Sequence, residues 1–487
     1  MRIERIEIQD FRGFPAAYEF KLGKPGEPGK NLLVYGENGS GKSSLFRAIK
    51  GFFEATQSSN LASQQNRFSN TPDPYVKLDI VGYSGTGDRL PSSGVFEWSA
   101  SACPEDEALI QSANQTKGCL DYRALLETHY VHRGKDEVEV FDLLINTVLC
   151  HVQNPISRKP LGQEFKEITA DKRKHMGYGY KDLYQGRIDK FNQGLTAVLG
   201  QVTASGNSLL TGFFIDTKLT LFPQGSLVFS GSGKHKRLEK PRVLLNIEFI
   251  GRPLTNAHEF LNEARLSAVA IALYLGTLLM VPASQLRVLV LDDLLIGIDM
   301  SNRVGVLNVL LDRFSDWQII LLTHDKVWFE TVRMRTLDAE AWWYASLFSE
   351  SSTDLIPMPV WRGNDEGWNS SLARAKQHLL NHDDRAAGVY ARAAFEGKLK
   401  NYCEKKKIAV QYQSNPAKMT TEMFWIGIKD KLAADGKLFN VQAQISAIEA
   451  HRKVVLNPLS HENPTTLTEA EIQGAIKAIE QLNSILN

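Results

Sequence analysis

The chain has 487 residues, enough for two to four domains and a sizeable buried core. Hydrophobic residues make up 43% and charged residues 23%, which excludes wholesale disorder. Lysine and arginine number 56 against 55 aspartates and glutamates, a net charge of +1, so any contact with nucleic acid or an acidic membrane must be a local patch. The four cysteines (Cys103, Cys119, Cys150, Cys403) stand apart without a CxxC pair. That argues against a disulfide framework or a four-cysteine zinc site, and for a reducing, cytoplasmic setting.

The amino terminus, MRIERIEIQDFRGF, lacks the apolar stretch of a signal peptide. Residues 31–49, NLLVYGENGSGKSSLFRAI, place a short apolar strand (Leu32–Tyr35) before helical spacing at Leu45, Ala48 and Ile49. The intervening loop, Gly36-Glu-Asn38-Gly39-Ser40-Gly41-Lys42-Ser43-Ser44, contains GxxxxGK[ST]. In such a loop backbone N–H groups cradle phosphate oxygens at the positive end of a helix, and glycines allow the φ angles and the close approach. Lys42 is expected to reach the β- and γ-phosphates and Ser43 to ligate Mg²⁺, so ATP and Mg²⁺ are the expected cofactors.

An extended arm of sheet is expected over about 75–150 and a helical stretch near Glu164–Val202. Strand patterns follow at Lys218–Phe229 and Val243–Ile250. A helical insert is thus assigned to 155–215 and returning strands to 216–250. The turn between those strands holds Lys234, Lys236, Arg237, Lys240 and Arg242 within ten residues. It reads either as a solvated hairpin tip or as a sequence-independent grip on phosphates. Leu266–Ala283 is apolar on every side; Glu263 and Arg265 directly before it favour a buried central helix over a membrane span.

Residues 286–293, LRVLVLDD, read as a central strand of a parallel sheet covered on both faces. Asp292 at its end is expected to hold Mg²⁺ directly or through water, and Asp293 to polarise an attacking water. Gln318–Asp325, QIILLTHD, repeats the pattern and brings His324 toward the γ-phosphate. After Trp342-Trp343-Tyr344 the character changes: 361–371 reads as a linker and 370–487 as a small helical bundle. Phe395, Leu399, Tyr402 and Cys403 share one stripe. Thr468–Glu471 forms a capping box ahead of Ile472, Ile476, Ile479 and Leu482.

In this order FRGF, GENGSGKSS, LNEARLS before an apolar helix, LDD, GIDMSNR and LLTHD resemble the ABC-type ATPases of the RecF/SMC superclass, over residues 1–50 and 245–335. The resemblance implies an α/β P-loop ATPase head over 1–360 with a short helical insert, followed by an all-α C-terminal bundle. It also implies a homodimer or higher even-numbered oligomer in which two protomers sandwich two ATP molecules. Asn262, Glu263 and Arg265 then stand where the usual LSGGQ closes on the partner's γ-phosphate, with the Asn262 amide in place of a serine. Asp299 resembles the D-loop aspartate, and Arg12 sits where the superclass approaches the nucleotide base. Asp293 occupies a place that most relatives give to glutamate. Tyr130–Gly134 marks the Q-loop position without a glutamine.

The 250 residues from Lys42 to Asp292 show no sustained heptad repeat and no CxxC hook, unlike long-armed SMC proteins. The compact insert, LNEARLS, LDD and LLTHDKVWFE look most like the PtuA-type ATPases of Septu and retron-associated anti-phage systems, which implies an HNH nuclease partner. In the bundle, RAAGVYARAAFE (Arg385, Arg392, Glu396) and VVLNPLSHE (Asn457, His461), with Arg452, loosely resemble HEPN ribonuclease domains. Arg452 lies nine positions before His461, too far for that motif, so a degenerate bundle for dimerisation or partner docking is expected. The alternatives are a self-contained ribonuclease toxin and a RecF-like DNA-repair ATPase.

Overall fold

The apolar runs of the sequence meet in a six-stranded sheet. Gly118–Asp121, Val288–Asp292, Gln318–Thr323, Asn31–Gly36 and Trp342–Ser351 lie side by side in that order and in parallel, with Pro357–Gly363 antiparallel at the edge. Alternate residues feed two cores. Leu33, Leu289, Leu291, Ile319 and Leu321 face one, while Leu32, Val34, Val288, Val290, Ile320 and Leu322 face the other. Burial on both faces is the reason LVLD and QIILLT show no polar alternation.

This computed structural model describes residues 1–23, 27–55, 61–69, 73–85, 87–122, 139–147, 149–171, 180–214, 216–230, 237–254, 257–336, 341–351, 357–363, 368–411, 420–451 and 468–486. The chain divides into two units, Met1–Gly363 and Asn364–Asn487.

In the first unit, one core packs the P-loop helix Lys42–Glu54 through Leu45, Phe46, Ile49, Phe52 and Phe53. It lies against a four-stranded antiparallel sheet ordered Tyr18–Lys21, Arg2–Gln9, Tyr75–Val81, Gly94–Trp98. The other core holds the helices Tyr180–Leu210 and Glu263–Leu278. These two approach so closely that a Cβ on Gly276 would sit 2.9 Å from the backbone of Gly206. The apolar segment after Arg265 is therefore a core helix, buried from Leu266 through Leu273. Among the described residues no helix is long and apolar enough to cross a membrane.

Two expectations need correction. Residues 75–150 do not form one extended arm: Tyr75–Val81 and Gly94–Trp98 join the antiparallel sheet, whereas Gly118–Asp121 enters the central sheet beside Val288–Asp292. Nor is Lys218–Phe229 one strand. Thr217–Gln224 pairs with Arg242–Phe249, then Gly225 at φ 77° turns the chain, and Val228–Ser230 pairs with Arg237–Glu239. A left-handed φ there suits glycine and ends the ladder.

The second unit is helical: Trp368–Leu380, Asp384–Lys405, Thr421–Ala434, Gln442–His451 and Glu469–Ile485. Phe395, Leu399, Trp425, Ile472, Ile476 and Leu482 fill its core. The Thr468–Glu471 capping box forms in both directions. Arg452, Asn457 and His461 lie outside the described residues, as do Tyr130–Gly134, Lys234 and Lys236.

Candidate nucleotide site

Parallel strands deliver their carboxyl ends to one edge, where ligands of open α/β sheets bind. Register places Asp292 level with Leu322 and with Asp121, and Tyr35 level with Thr323. The P-loop, the two aspartates and His324 are therefore assembled by strand order rather than by sequence proximity.

The loop turns at Gly39 (φ 86°) and Gly41 (φ 104°), which L-residues rarely adopt. Gly36 has no room for a side chain: a Cβ would lie 2.5 Å from Ser40 Oγ and 2.7 Å from the Leu347 carbonyl oxygen. Gly41 begins the helix without a side-chain cap, leaving the positive helix end open to an anion. Lys42 is buried; its Nζ donates to the carbonyls of Gly36 (2.7 Å) and Glu37 (3.1 Å) and stands 3.8 Å from Asp293 Oδ2. Burial pulls its pKa down, opposed by Asp293 and Asp292.

Asp292 is buried and its pKa is pushed up to about 6, chiefly by burial, with a Ser43 hydrogen bond opposing and the neighbouring Asp293 charge reinforcing. Its Oδ1 and Ser40 Oγ are buried with no hydrogen-bond partner. Buried polar atoms without partners are costly, so both fit an incoming ligand, Asp292 and Ser43 as oxygen donors to Mg²⁺ and Ser40 as a phosphate contact. Asp293 has a left-handed backbone (φ 51°), which aims its carboxylate at His324: Oδ1 accepts from the His324 backbone N–H at 2.9 Å and lies 2.9 Å from Nδ1.

Arg12, also at φ 48°, donates from Nε to Gln64 Oε1 at 2.6 Å, and Gly13 N–H donates to Ser44 Oγ. With Phe11, Arg47, Lys50 and Trp98 it lines a cavity of about 350 Å³ beside the P-loop helix. Glu54 also lines it, and burial, then the Arg47 charge, lowers the Arg12 pKa.

Asn262 caps the helix Glu263–Leu278, its Oδ1 accepting from Arg265 N–H at 3.1 Å. Glu263 Oε1 accepts from Tyr122 OH at 2.6 Å. Arg265, expected to meet a nucleotide on the partner, is engaged within its own chain. Its guanidinium is paired with Asp216, donates to Thr217 Oγ1 and lies 4.5 Å from the Phe249 ring centroid, so it braces the helix start. Asp299 is exposed at the start of the helix Met300–Arg313, and its side chain makes no capping bond there.

Two residues escaped the sequence reading. Asp121 ends the strand beside Asp292 and pairs with Arg47 of the P-loop helix at 3.3 Å. Arg303 ties the loop before Asp299: it pairs with Asp325 at 2.6 Å and donates to the carbonyls of Ile298 and Ile296. Arg303 stood in GIDMSNR without a role. For Asp121 the only signal was a four-residue strand ending in acid, GCLD, a weak echo of LVLDD. The basic turn is partly neutralised within the chain: Arg237 pairs with Glu239, Lys240 with Asp142, and Arg242 bonds Gln224.

A family model described as an AAA domain matches residues 5–131. Among solved structures, the chain is similar to an SMC head bound to the C-terminal winged-helix domain of ScpA (13% identity, TM-score 0.40, covering 75% of this chain and 99% of that one). It is similar to the SMC head domain from Thermotoga maritima (14% identity, TM-score 0.35, covering 74% and 98%). A third is an Smc head with an extended coiled coil bound to the C-terminal domain of ScpA derived from Pyrococcus furiosus (13% identity, TM-score 0.43, covering 75% and 97%). No curated protein matches the chain. Fold and site together define the class: an α/β P-loop ATPase fold, followed by a helical unit.

Proposed function

We propose that this chain binds and hydrolyses ATP with Mg²⁺ and that two copies close over the nucleotides. The observation that carries the reading is the pair of buried, partnerless oxygens, Ser40 Oγ and Asp292 Oδ1, beside Lys42 and the Asp293–His324 pair. Lys42 exchanges the carbonyls of Gly36 and Glu37 for phosphate oxygens, a stronger charge-assisted contact. Ser43 and Asp292 hold Mg²⁺, which neutralises charge on the phosphate oxygens when bound. Asp293, oriented by His324, polarises the attacking water through its remaining oxygen. Arg12 and its cavity receive the base and ribose side of the nucleotide.

Asn262 and Asp299, both exposed, belong in this reading to the face that meets the partner's nucleotide. The wider role is a dimerising sensor and scaffold that restrains an HNH-type nuclease in a bacterial anti-phage system. Its support is the likeness of LNEARLS, LDD and LLTHDKVWFE to PtuA-type ATPases. The helical unit serves docking rather than ribonuclease chemistry. Arg392 is held by Glu396 at 2.9 Å, and that same carboxylate oxygen accepts from Thr421 Oγ1, which ties this arginine into the bundle. The deciding experiment is equilibrium ATP binding and hydrolysis by Lys42→Ala: both are expected to be lost, and unchanged affinity for labelled ATP would overturn the reading.

A further inference from the structure

Residues 398–407, KLKNYCEKKK, hold five lysines and one carboxylate, and no arginine occurs between Arg392 and Arg452. The helix Asp384–Lys405 ends within this run, and Lys407 at φ 53° reverses the chain. The end of the helix Thr421–Ala434 meets it. The Asp435 carboxyl there is held below its usual value first by a hydrogen bond from Lys431, then by the charges of Lys431, Lys437 and Lys406. Lys405, Lys406, Lys407 and Lys437 are all exposed. Two helix C-termini favour cations by a few tenths of a kcal/mol each, about 0.3–1. That accounts for a lysine or two, not for this many.

Two residues beyond Lys437 stands Phe439, 90% exposed, more than any other large hydrophobic residue of the described chain. It opens a short 3-10 turn, Phe439–Val441, whose Val441 N–H donates to the Leu438 carbonyl. Leu438 and Val441 pack against the bundle core, which fixes the turn and directs the ring outward. Lysines around a presented aromatic ring make a recognisable combination: point charges for a phosphate backbone, and a π-face on which any base stacks. Without arginine there is no planar fork for bidentate recognition of carboxylates or base edges.

We infer that this end of the C-terminal unit, from Lys405 to Lys407 and from Lys437 to Phe439, is a docking surface for single-stranded nucleic acid, read without sequence preference. Phosphates lie on the lysines and one base stacks on Phe439. The inference is independent of the nucleotide site.

The test is fluorescence anisotropy of labelled oligo(dT) and oligo(U) with the full chain across a salt series. Single strands lose affinity with salt at about 0.7 log units per log unit for each neutralised phosphate. Lys406→Ala with Lys437→Ala is expected to flatten the slope by about 1.4. Phe439→Ala is expected to weaken binding about tenfold at an unchanged slope, and Lys42→Ala to change neither. All three surface positions are exposed, so thermal melting should match the parent chain. The proposal is overturned if the parent chain binds neither oligonucleotide, or if only Arg237→Ala with Lys240→Ala abolishes binding. Occupation of the lysine patch by poly-glutamate or phosphatidylserine vesicles, with no oligonucleotide competing, overturns it as well.

Discussion

One oxygen of Asp293 holds His324 twice, accepting from its backbone N–H and lying within hydrogen-bond distance of Nδ1, both at 2.9 Å. A carboxylate oxygen accepts, so Nδ1 is the nitrogen that donates to it, and Nε2 is left facing away from Asp293. The pair thus fixes both the direction of the carboxylate and the orientation of the ring.

Asp293→Asn tests that arrangement with little structural cost, because asparagine tolerates the left-handed backbone at φ 51°. The amide is a far weaker base. Single-turnover hydrolysis is expected to fall about 10²- to 10⁴-fold while ATP affinity holds. An unchanged hydrolysis rate would remove Asp293 from the chemistry.

Asp292 makes the site sensitive to acid. Its carboxyl is pushed up to about 6 by burial, against an ordinary 3.8, so the folded state takes up this proton more readily than the unfolded chain. The resulting stabilisation is fully present below 3.8 and is lost as pH rises through about 6; two units correspond to about 3 kcal/mol. Function in the proposed reading runs the other way, because Mg²⁺ would need the carboxylate. Apparent Mg²⁺ affinity is expected to drop as pH falls below about 6, and Asp292→Asn to abolish this dependence. Melting temperature against pH, with and without MgATP, checks both signs.

How much of this was legible in the sequence follows from locality. The P-loop and its helix lie within nineteen consecutive residues, 31–49, and the strands ending at Asp292 and Thr323 announced themselves as apolar runs with both faces buried. Gly118–Asp121 did not, being four residues long without a β-branched side chain and meaningful only beside a strand 170 positions later. The pairing of Arg265 with Asp216 was not legible either, because the two stand 49 residues apart, beyond any helical or turn spacing. Gly225 split an expected strand through a backbone angle that composition alone does not reveal.

Arg303 is a positioning residue. Its guanidinium pairs with Asp325 and donates to two carbonyls of the loop that carries Asp299, with the side chain only 12% exposed. Burial pushes the Asp325 carboxyl up, but the Trp328 N–H and Arg303 outweigh it and hold it below its ordinary value. Arg303→Lys keeps the charge and loses the fork, so it is expected to cost about 1–3 kcal/mol of stability. It should also lower ATP turnover while leaving ATP affinity unchanged. A variant that melts like the parent would show that the loop holds itself.

Asn262 separates two roles that alanine would confuse. Its Oδ1 caps the helix Glu263–Leu278, so Asn262→Ala would lose about 0.5–2 kcal/mol of capping whatever else the residue does. Asn262→Asp keeps the cap and puts a negative charge at the positive helix end, which favours the fold by about 0.3–1 kcal/mol. The same charge would face a partner's γ-phosphate with no N–H to offer, so repulsion replaces a hydrogen bond. Melting temperature is therefore expected to hold or rise, while ATP-dependent dimerisation, followed by light scattering, disappears. If Asn262→Asp dimerises on ATP like the parent chain, Asn262 faces no phosphate and only caps its helix.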